Sequence, residues 1–302
     1  MISNLEAMGV DVLKRSRATG LILAMMINLA TCQRATCEVP SDLQRKDDYK
    51  PKVIVSLTSY PKRFCILPYA LKSLCKQTVK PDMILLNLCE EENPDKTLIQ
   101  KVFSENNLED KITINWYEES IGPYGKLIPT LKKYPDDIII TVDDDIEYGK
   151  KVLAELLRAH KKYPNCIISR VCRFFADDCR FNEWREDKVV PKNRPVFNAV
   201  VEGVTGVLYP PYCFDERVFD QQRFMKDFPT TDDIWFSVCA ILKGTKKVKL
   251  HNFSATWPTR VACQDKYKVS VPELCVKNFE GGKNHENLKK AKAIFKKENI
   301  KL

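Results

Sequence analysis

At 302 residues, 44% of them hydrophobic, the chain is long enough to bury a substantial core, and its continuous pattern favours one large α/β domain over two small ones. Lys and Arg exceed Asp and Glu by nine, a balance that permits attraction to phosphates, nucleotides or an anionic membrane surface and selects none of them. The twelve cysteines include no C-x-x-C pair and no zinc-finger spacing, which excludes the common structural metal sites; free buried thiols are expected, with a disulfide such as Cys172 to Cys179 only in an oxidising compartment.

The N-terminus carries Lys14, Arg15 and Arg17 ahead of an apolar run from Ala18 to Ala30 interrupted at Asn28. As a helix, that run would span about 20 Å against a hydrocarbon core of ~30 Å, so a signal or short anchor fits it better than a spanning helix. Membrane association or the secretory pathway is the expected location, with the cytoplasm as the alternative. Residues 33–51 are polar and end in Lys50-Pro51, which reads as a linker. Residues 1–50 are therefore set apart as an address segment, 51–270 as the globular domain and 271–302 as a basic helical tail.

Within the domain, Val53 to Leu57 predicts a strand, and Leu67, Ala70, Leu71 and Leu74 then recur at helical spacing. Met83 to Leu88 predicts a second strand, Leu98 to Phe103 a helix, Lys111 to Trp116 a third strand and Leu127 to Tyr134 a helix stopped by Pro135. Ile138 to Val142 is the fourth strand. Strands alternating with helices imply βαβ units, hence a mostly parallel α/β sheet with helices on both faces. Further on, Ile167 to Phe174 reads as one strand, Ala176 to Arg194 as a polar loop, and Val196 to Tyr209 as one or two strands broken at Gly203 and Gly206. Thr231-Asp232-Asp233 opens an apolar helix to about Leu242, Lys247 to Leu250 forms a short strand, and residues 281–302 form a solvated helix with Leu288, Ala291 and Phe295 on its inner face.

The fourth strand ends abruptly in Asp143-Asp144-Asp145, and in an open α/β sheet ligands bind at the carboxyl ends of strands. Asp143 and Asp145 stand at D-x-D spacing. Hard oxygen ligands there suit Mg2+ or Mn2+, which takes one or two carboxylates and leaves its other positions to water and substrate phosphates. The competing reading is an acidic cap on the next helix. Four further groups are expected at the same edge. Thr58, Tyr60 and Arg63 follow the first strand, where the tyrosine can stack on a base and the arginine can meet phosphate. Lys126, in Gly122-Pro123-Tyr124-Gly125-Lys126, offers a cation to an anion, and Arg170 and Arg173 leave the fifth strand three residues apart. Asp232 and Asp233 begin a buried helix that would hold a general base rigidly, or they merely cap it. His251 is a candidate third metal ligand.

With these motifs in place, the chain resembles the nucleotide-sugar glycosyltransferases of GT-A (Rossmann-like) fold, close to the inverting family 2 group. The matching segments are Leu71 to Thr78, the strand-terminal Val142-Asp143-Asp144-Asp145, and Thr231-Asp232-Asp233-Ile234-Trp235-Phe236, within residues 52–252. The resemblance implies that Asp143 and Asp145 hold metal and sugar nucleotide, with Asp144 beside them, and that Asp232 or Asp233 is the catalytic base. It also implies a nucleotide-sugar donor, a UDP-sugar above others, and a glycan or glycoconjugate acceptor; no nucleic-acid partner is expected, and membrane association is expected through the N-terminus, with a membrane-facing role for the basic tail as the minority reading. Two departures stand out: Asn87-Leu88-Cys89-Glu90 replaces the usual acidic cluster after the second strand, and no Q-x-x-R-W follows the late acids. Two other readings stay open, a sugar-phosphate nucleotidyltransferase, which lacks its glycine-rich loop here, and a non-catalytic carbohydrate-binding protein.

Overall fold

The computed structural model describes residues 49–175, 190–250, 259–260, 278 and 282–301. The chain divides into Met1–Tyr49 and Lys50–Leu302, and the elements below belong to the second unit. They are β1 (Val53–Thr58), α1 (Leu67–Cys75), β2 (Met83–Cys89), α2 (Thr97–Asn106), β3 (Thr113–Tyr117), α3 (Ile128–Lys133), β4 (Ile138–Thr141) and β5 (Ile146–Glu147). After them come α4 (Val152–Lys162), β6 (Ile167–Ser169), β7 (Cys172–Phe174), β8 (Pro195–Val196), β9 (Ala199–Val201) and β10 (Val207–Tyr209). The remainder are α5 (Gln221–Asp227), α6 (Asp232–Lys243), β11 (Lys247–Lys249), β12 (Thr259–Arg260) and α7 (Lys283–Lys297).

Eight strands form one sheet in the order β3-β2-β1-β4-β10-β6-β11-β8. From β3 to β4 every pairing is parallel, so the mostly parallel, Rossmann-like sheet expected from the sequence is present. Successive strands step outward from β1 to β3, and the chain then crosses back to place β4 on the other side of β1. That reversal opens a crevice between the carboxyl ends of β1 and β4, where α/β sheets of this kind bind ligands.

Burial on both faces explains the strands' composition. Val55, Leu57, Ile138, Ile140, Ile168 and Leu208 face one apolar core with α1, α2 and α4, whereas Ile139, Ile167, Val207 and Tyr209 face another with α3, α5 and α6. A strand covered on both sides reads as a continuous apolar run, which is what Ile138-Ile139-Ile140 is. Helix α6 is apolar nearly all round because it lies inside the second core, with Trp235, Phe236 and Val238 fully buried. Gly244 ends it in a left-handed conformation that costs glycine little.

Three readings of the second half change. The single strand expected over Ile167–Phe174 is two, β6 and β7, in different sheets. Ser169 Oγ makes hydrogen bonds to the backbone of Val171 at 3.0 and 3.2 Å, and this local pairing turns the chain between them. Val196–Tyr209 contains three short strands, with a 3-10 turn at Gly203–Thr205 between β9 and β10. Strand β10 enters antiparallel between β4 and β6, so the parallel order does not extend across the whole sheet. As expected, α7 turns Leu288, Ala291 and Phe295 inward, and with Ile294 they are buried in the same core as Trp235. Free buried thiols were the expectation, and Cys172 is one, its pKa pushed up by burial to about 12, while Cys179, its partner in the disulfide allowed for an oxidising compartment, lies outside the described residues.

Among the described residues no helix is long and apolar enough to cross a membrane. The apolar run at residues 18–30 lies outside them.

A candidate active site at the sheet's switch point

Loops from β1 and β4 meet first. Arg63, in the 3-10 turn Pro61–Arg63 after β1, is paired with Asp144 and approaches Asp145 Oδ2 at 3.6 Å. Ser59 Oγ donates to Asp144 Oδ2 at 2.6 Å. Burial pushes the Asp144 carboxyl up to about 6 even though Arg63 and Ser59 pull it down. Burial likewise opposes the charge of Arg63, but Asp144 and Asp145 raise its pKa further than burial lowers it. One sequence expectation is corrected here. Asp144 and Asp145 are only 4% and 5% exposed, so Asp143 is the one acid of the three with an open edge. Arg63, expected to meet phosphate, spends its guanidinium on these two carboxylates, because it reaches across from the adjacent strand end to meet them.

Lys126 joins the second half of the site. It ends the 3-10 turn Gly122–Lys126 before α3, is itself buried, and places its ammonium 2.9 Å from Asp232 Oδ2 and 3.4 Å from Asp143 Oδ1. Burial works against its charge, yet Asp232, Asp143 and Asp233 hold its pKa well above the ordinary lysine value. The acids after β4 and those opening α6 are therefore gathered around one cation. Lys126 was expected to offer itself to an anion; in the fold it meets the protein's own carboxylates Asp232 and Asp143.

Asp232 and Asp233 differ in environment. The former pairs with Lys126, while Asp233 Oδ2 accepts from the Gly203 backbone N–H at 2.9 Å. The buried Oδ1 of Asp233 accepts no hydrogen bond. Burial raises both carboxyls, that of Asp233 to about 8, with Lys126 opposing and Asp232 adding to the rise. The helix N-terminus was expected to favour the ionised form, and desolvation outweighs it.

The sequence did not single out Ser59, Tyr148 or Gly203 as site residues. Tyr148 Oη accepts from the Asp143 backbone N–H at 2.8 Å and so fixes the turn that carries Asp143. Gly203 has no room for a side chain: a Cβ there would lie 2.9 Å from Lys126 Nζ and 3.2 Å from Asp233 Oδ1. A glycine breaking a strand pattern beside a buried acid was the available signal for it. Gln77, inside the Leu71 to Thr78 segment, ties α1 to the turn after β5 through the Gly149 carbonyl at 3.0 Å and the Leu153 N–H at 3.2 Å.

The other candidates fall as follows. Tyr60 is 41% exposed with the Arg63 guanidinium 5.7 Å from its ring centre, so one aromatic face is open at the crevice. Thr58 Oγ1 donates to the Asn87 carbonyl at 2.9 Å. Arg170 is a correction: it is fully buried and its guanidinium pairs with Glu155 of α4, an interior acid that neutralises it there. Arg173, half-buried, pairs with Glu202. His251 lies outside the described residues.

Five carboxylates (Asp143, Asp144, Asp145, Asp232, Asp233) thus share the site with two cations (Arg63, Lys126). Such an excess of negative charge, with a buried carboxylate oxygen left without a donor, fits a divalent cation. Among the described residues no three His, Cys, Asp or Glu side chains form a ready metal cage. Magnesium and manganese need none, since one or two carboxylates and substrate phosphates suffice.

No family model matches the chain, and no curated protein matches it. Solved structures resemble it at low identity. Residues 1–349 of TarS from S. aureus share 13% identity over 72% of this chain and 63% of that one, with a TM-score of 0.44. A UDP-glucose pyrophosphorylase from Acinetobacter shares 9% identity over 79% of this chain and 98% of that one, at 0.41. The mannosyltransferase PcManGT from Pyrobaculum calidifontis, in complex with GDP-Man and Mn2+, shares 13% identity over 72% of this chain, which spans 59% of it, at 0.43. The strand order described above, rather than these likenesses, carries the assignment to a Rossmann-like α/β fold.

Proposed function

We propose that the chain is a metal-dependent glycosyltransferase that moves a sugar from a nucleoside-diphosphate donor, a UDP-sugar above others, to a hydroxyl of a glycan or glycoconjugate. The observation that carries this reading is the gathering of Asp143 and of the α6 acids Asp232 and Asp233 around Lys126 at the switch point. Asp143, with the open edge, and Asp145 behind it would hold Mn2+ or Mg2+, which when bound neutralises the departing diphosphate. Tyr60 offers its free face to the base. Asp233 is the better proton acceptor of the α6 pair: its Oδ1 accepts no hydrogen bond and the Gly203 N–H steadies Oδ2, whereas Asp232 is held by Lys126. Asp232 keeps Lys126 in place. With the base opposite the leaving group, attack is direct and the configuration at the anomeric carbon inverts. A nucleotidyltransferase reading has less support, because the turn after β1 is Pro61-Lys62-Arg63 and contains no glycine to cradle a triphosphate.

The test uses the full chain with UDP-, GDP-, CMP- and dTDP-sugars, with and without manganese. Asp143→Asn and Asp145→Asn should abolish metal-dependent donor affinity while the fold persists. Asp233→Asn should cut turnover by ~10² to 10⁴ and leave donor affinity nearly intact, and NMR of the product should show an inverted anomeric centre. Retained configuration, or full turnover in both the Asp232→Asn and Asp233→Asn variants, would reduce these acids to a helix cap.

A further inference from the structure

A cleft of about 680 Å³ opens at the opposite edge of the sheet, between the carboxyl ends of α1 and α2 and the starts of β2 and β3. Because β2 is seven residues long, this cleft lies a strand length, about 20 Å, from the switch point. Its rim carries Lys72, Lys76, Lys80 and Lys111, and its floor is apolar, formed by Leu74, Ile84 and Leu108. One carboxylate lines it, Asp82, and that group already accepts from the Val53 backbone N–H at 2.7 Å.

The lysines are oriented but not neutralised. Lys72 Nζ donates to Asn106 Oδ1 at 2.7 Å, Lys111 Nζ to the Asn107 carbonyl at 2.7 Å and Lys80 Nζ to the Cys75 carbonyl. Each partner is uncharged, and an ammonium has three donors, so donors remain for a ligand. The Cys75 thiol, beside these groups, is raised by burial and pulled down by Lys111 and Lys80. A cavity of this size matches small-ligand sites, and a rim of exposed lysines suits an anionic group.

We infer that this cleft binds a phosphate group, with the lysines on the phosphate. Lysine is a compact point charge suited to phosphate. The shared chemistry is a phosphate anion, and its source is a lipid headgroup or a soluble phosphate. Occupied by a lipid at a bilayer, the cleft would turn the crevice edge of the sheet away from the membrane, toward soluble donors.

Two probes separate the sources: co-sedimentation of the full chain with phosphatidylcholine vesicles with and without phosphatidic acid, and a thermal-shift titration with inorganic pyrophosphate. The variant Lys72→Gln/Lys76→Gln/Lys80→Gln/Lys111→Gln removes the rim, and Lys289→Gln/Lys296→Gln/Lys297→Gln/Lys301→Gln removes equal charge from exposed positions on α7 and just beyond it. Since a lysine at an anionic surface contributes roughly fivefold in affinity, the rim variant should bind phosphatidic acid vesicles at least about tenfold more weakly, and the control variant should bind like the parent. A pyrophosphate shift lost only in the rim variant, without vesicle preference, would assign the cleft to soluble phosphates. Equal losses in the two variants, or no response to either probe, would overturn the inference. If the rim variant melts early, Lys76→Gln/Lys111→Gln, which leaves the Lys72 and Lys80 bonds intact, serves in its place and should show the same ordering.

Discussion

Asp233 is a carboxyl group that the fold disfavours in its charged form. Its folded pKa, pushed up to about 8, lies above the ordinary aspartate value expected of the unfolded chain. The sign follows: the folded state binds the extra proton, so the group's contribution is fully present below about pH 4 and is lost as pH rises through about 8. Asp144, raised to about 6, acts in the same direction over the lower part of that range. Asp233→Asn keeps an oxygen for the Gly203 N–H and removes the titration. Chemical denaturation from about pH 5 to about pH 9 should therefore show a flatter stability profile in the variant than in the parent, the gap widening on the alkaline side. Parallel profiles would mean that water reaches this carboxylate freely.

At the scale of elements, the turn between β9 and β10 governs the site as much as the strands do. Gly203→Ala would place a methyl group 2.9 Å from Lys126 Nζ, and the lysine is held on two sides by Asp143 and Asp232. Stability should fall by about 1–3 kcal/mol, as for other overpacked sites, and donor turnover should fall with it. Thermal melts and initial rates measure both, and unchanged values would show that the turn yields easily. That this turn matters was half-legible in the sequence. The glycine that breaks the strand pattern was visible, but its neighbour Lys126 is remote along the chain and only the folded sheet brings the two together. Element by element the same division holds. The β4 run could be read because burial on both faces leaves a continuous apolar signature, and α6 because its acids and Gly244 mark its ends. The direction of β10 could not, since Val207-Leu208-Tyr209 is equally good in either sense. Arg63, Lys126 and Arg170 were legible as cations near the right strand ends. Which carboxylate each would meet was not, because Arg63 and Asp144 stand 81 residues apart and no local pattern encodes such a pairing.

For the molecule as a whole, the two cores are of unequal reach. The one that includes α6 draws in α7 from the far end of the chain, with Phe295 edge-on to Phe175 at 5.3 Å between ring centres. Phe295→Ala should cost ~3–5 kcal/mol, as large-to-small core changes do, against a total for typical domains of ~5–15 kcal/mol. A urea midpoint lowered by that amount, without a change in slope, would confirm that α7 is part of the cooperative unit; a midpoint within error of the parent would return it to the status of a tail.

Helix α7 also holds the start of α6 directly, through Asn287 Nδ2 donating to Thr231 Oγ1 at 2.7 Å across 56 residues of sequence. Synthesis runs from the N-terminus, so Asp232 and Asp233 leave the ribosome well before the helix that fastens the residue beside them. A nascent chain would carry Thr231 without its Asn287 partner, and the start of α6 would be fastened only after α7 had followed it out.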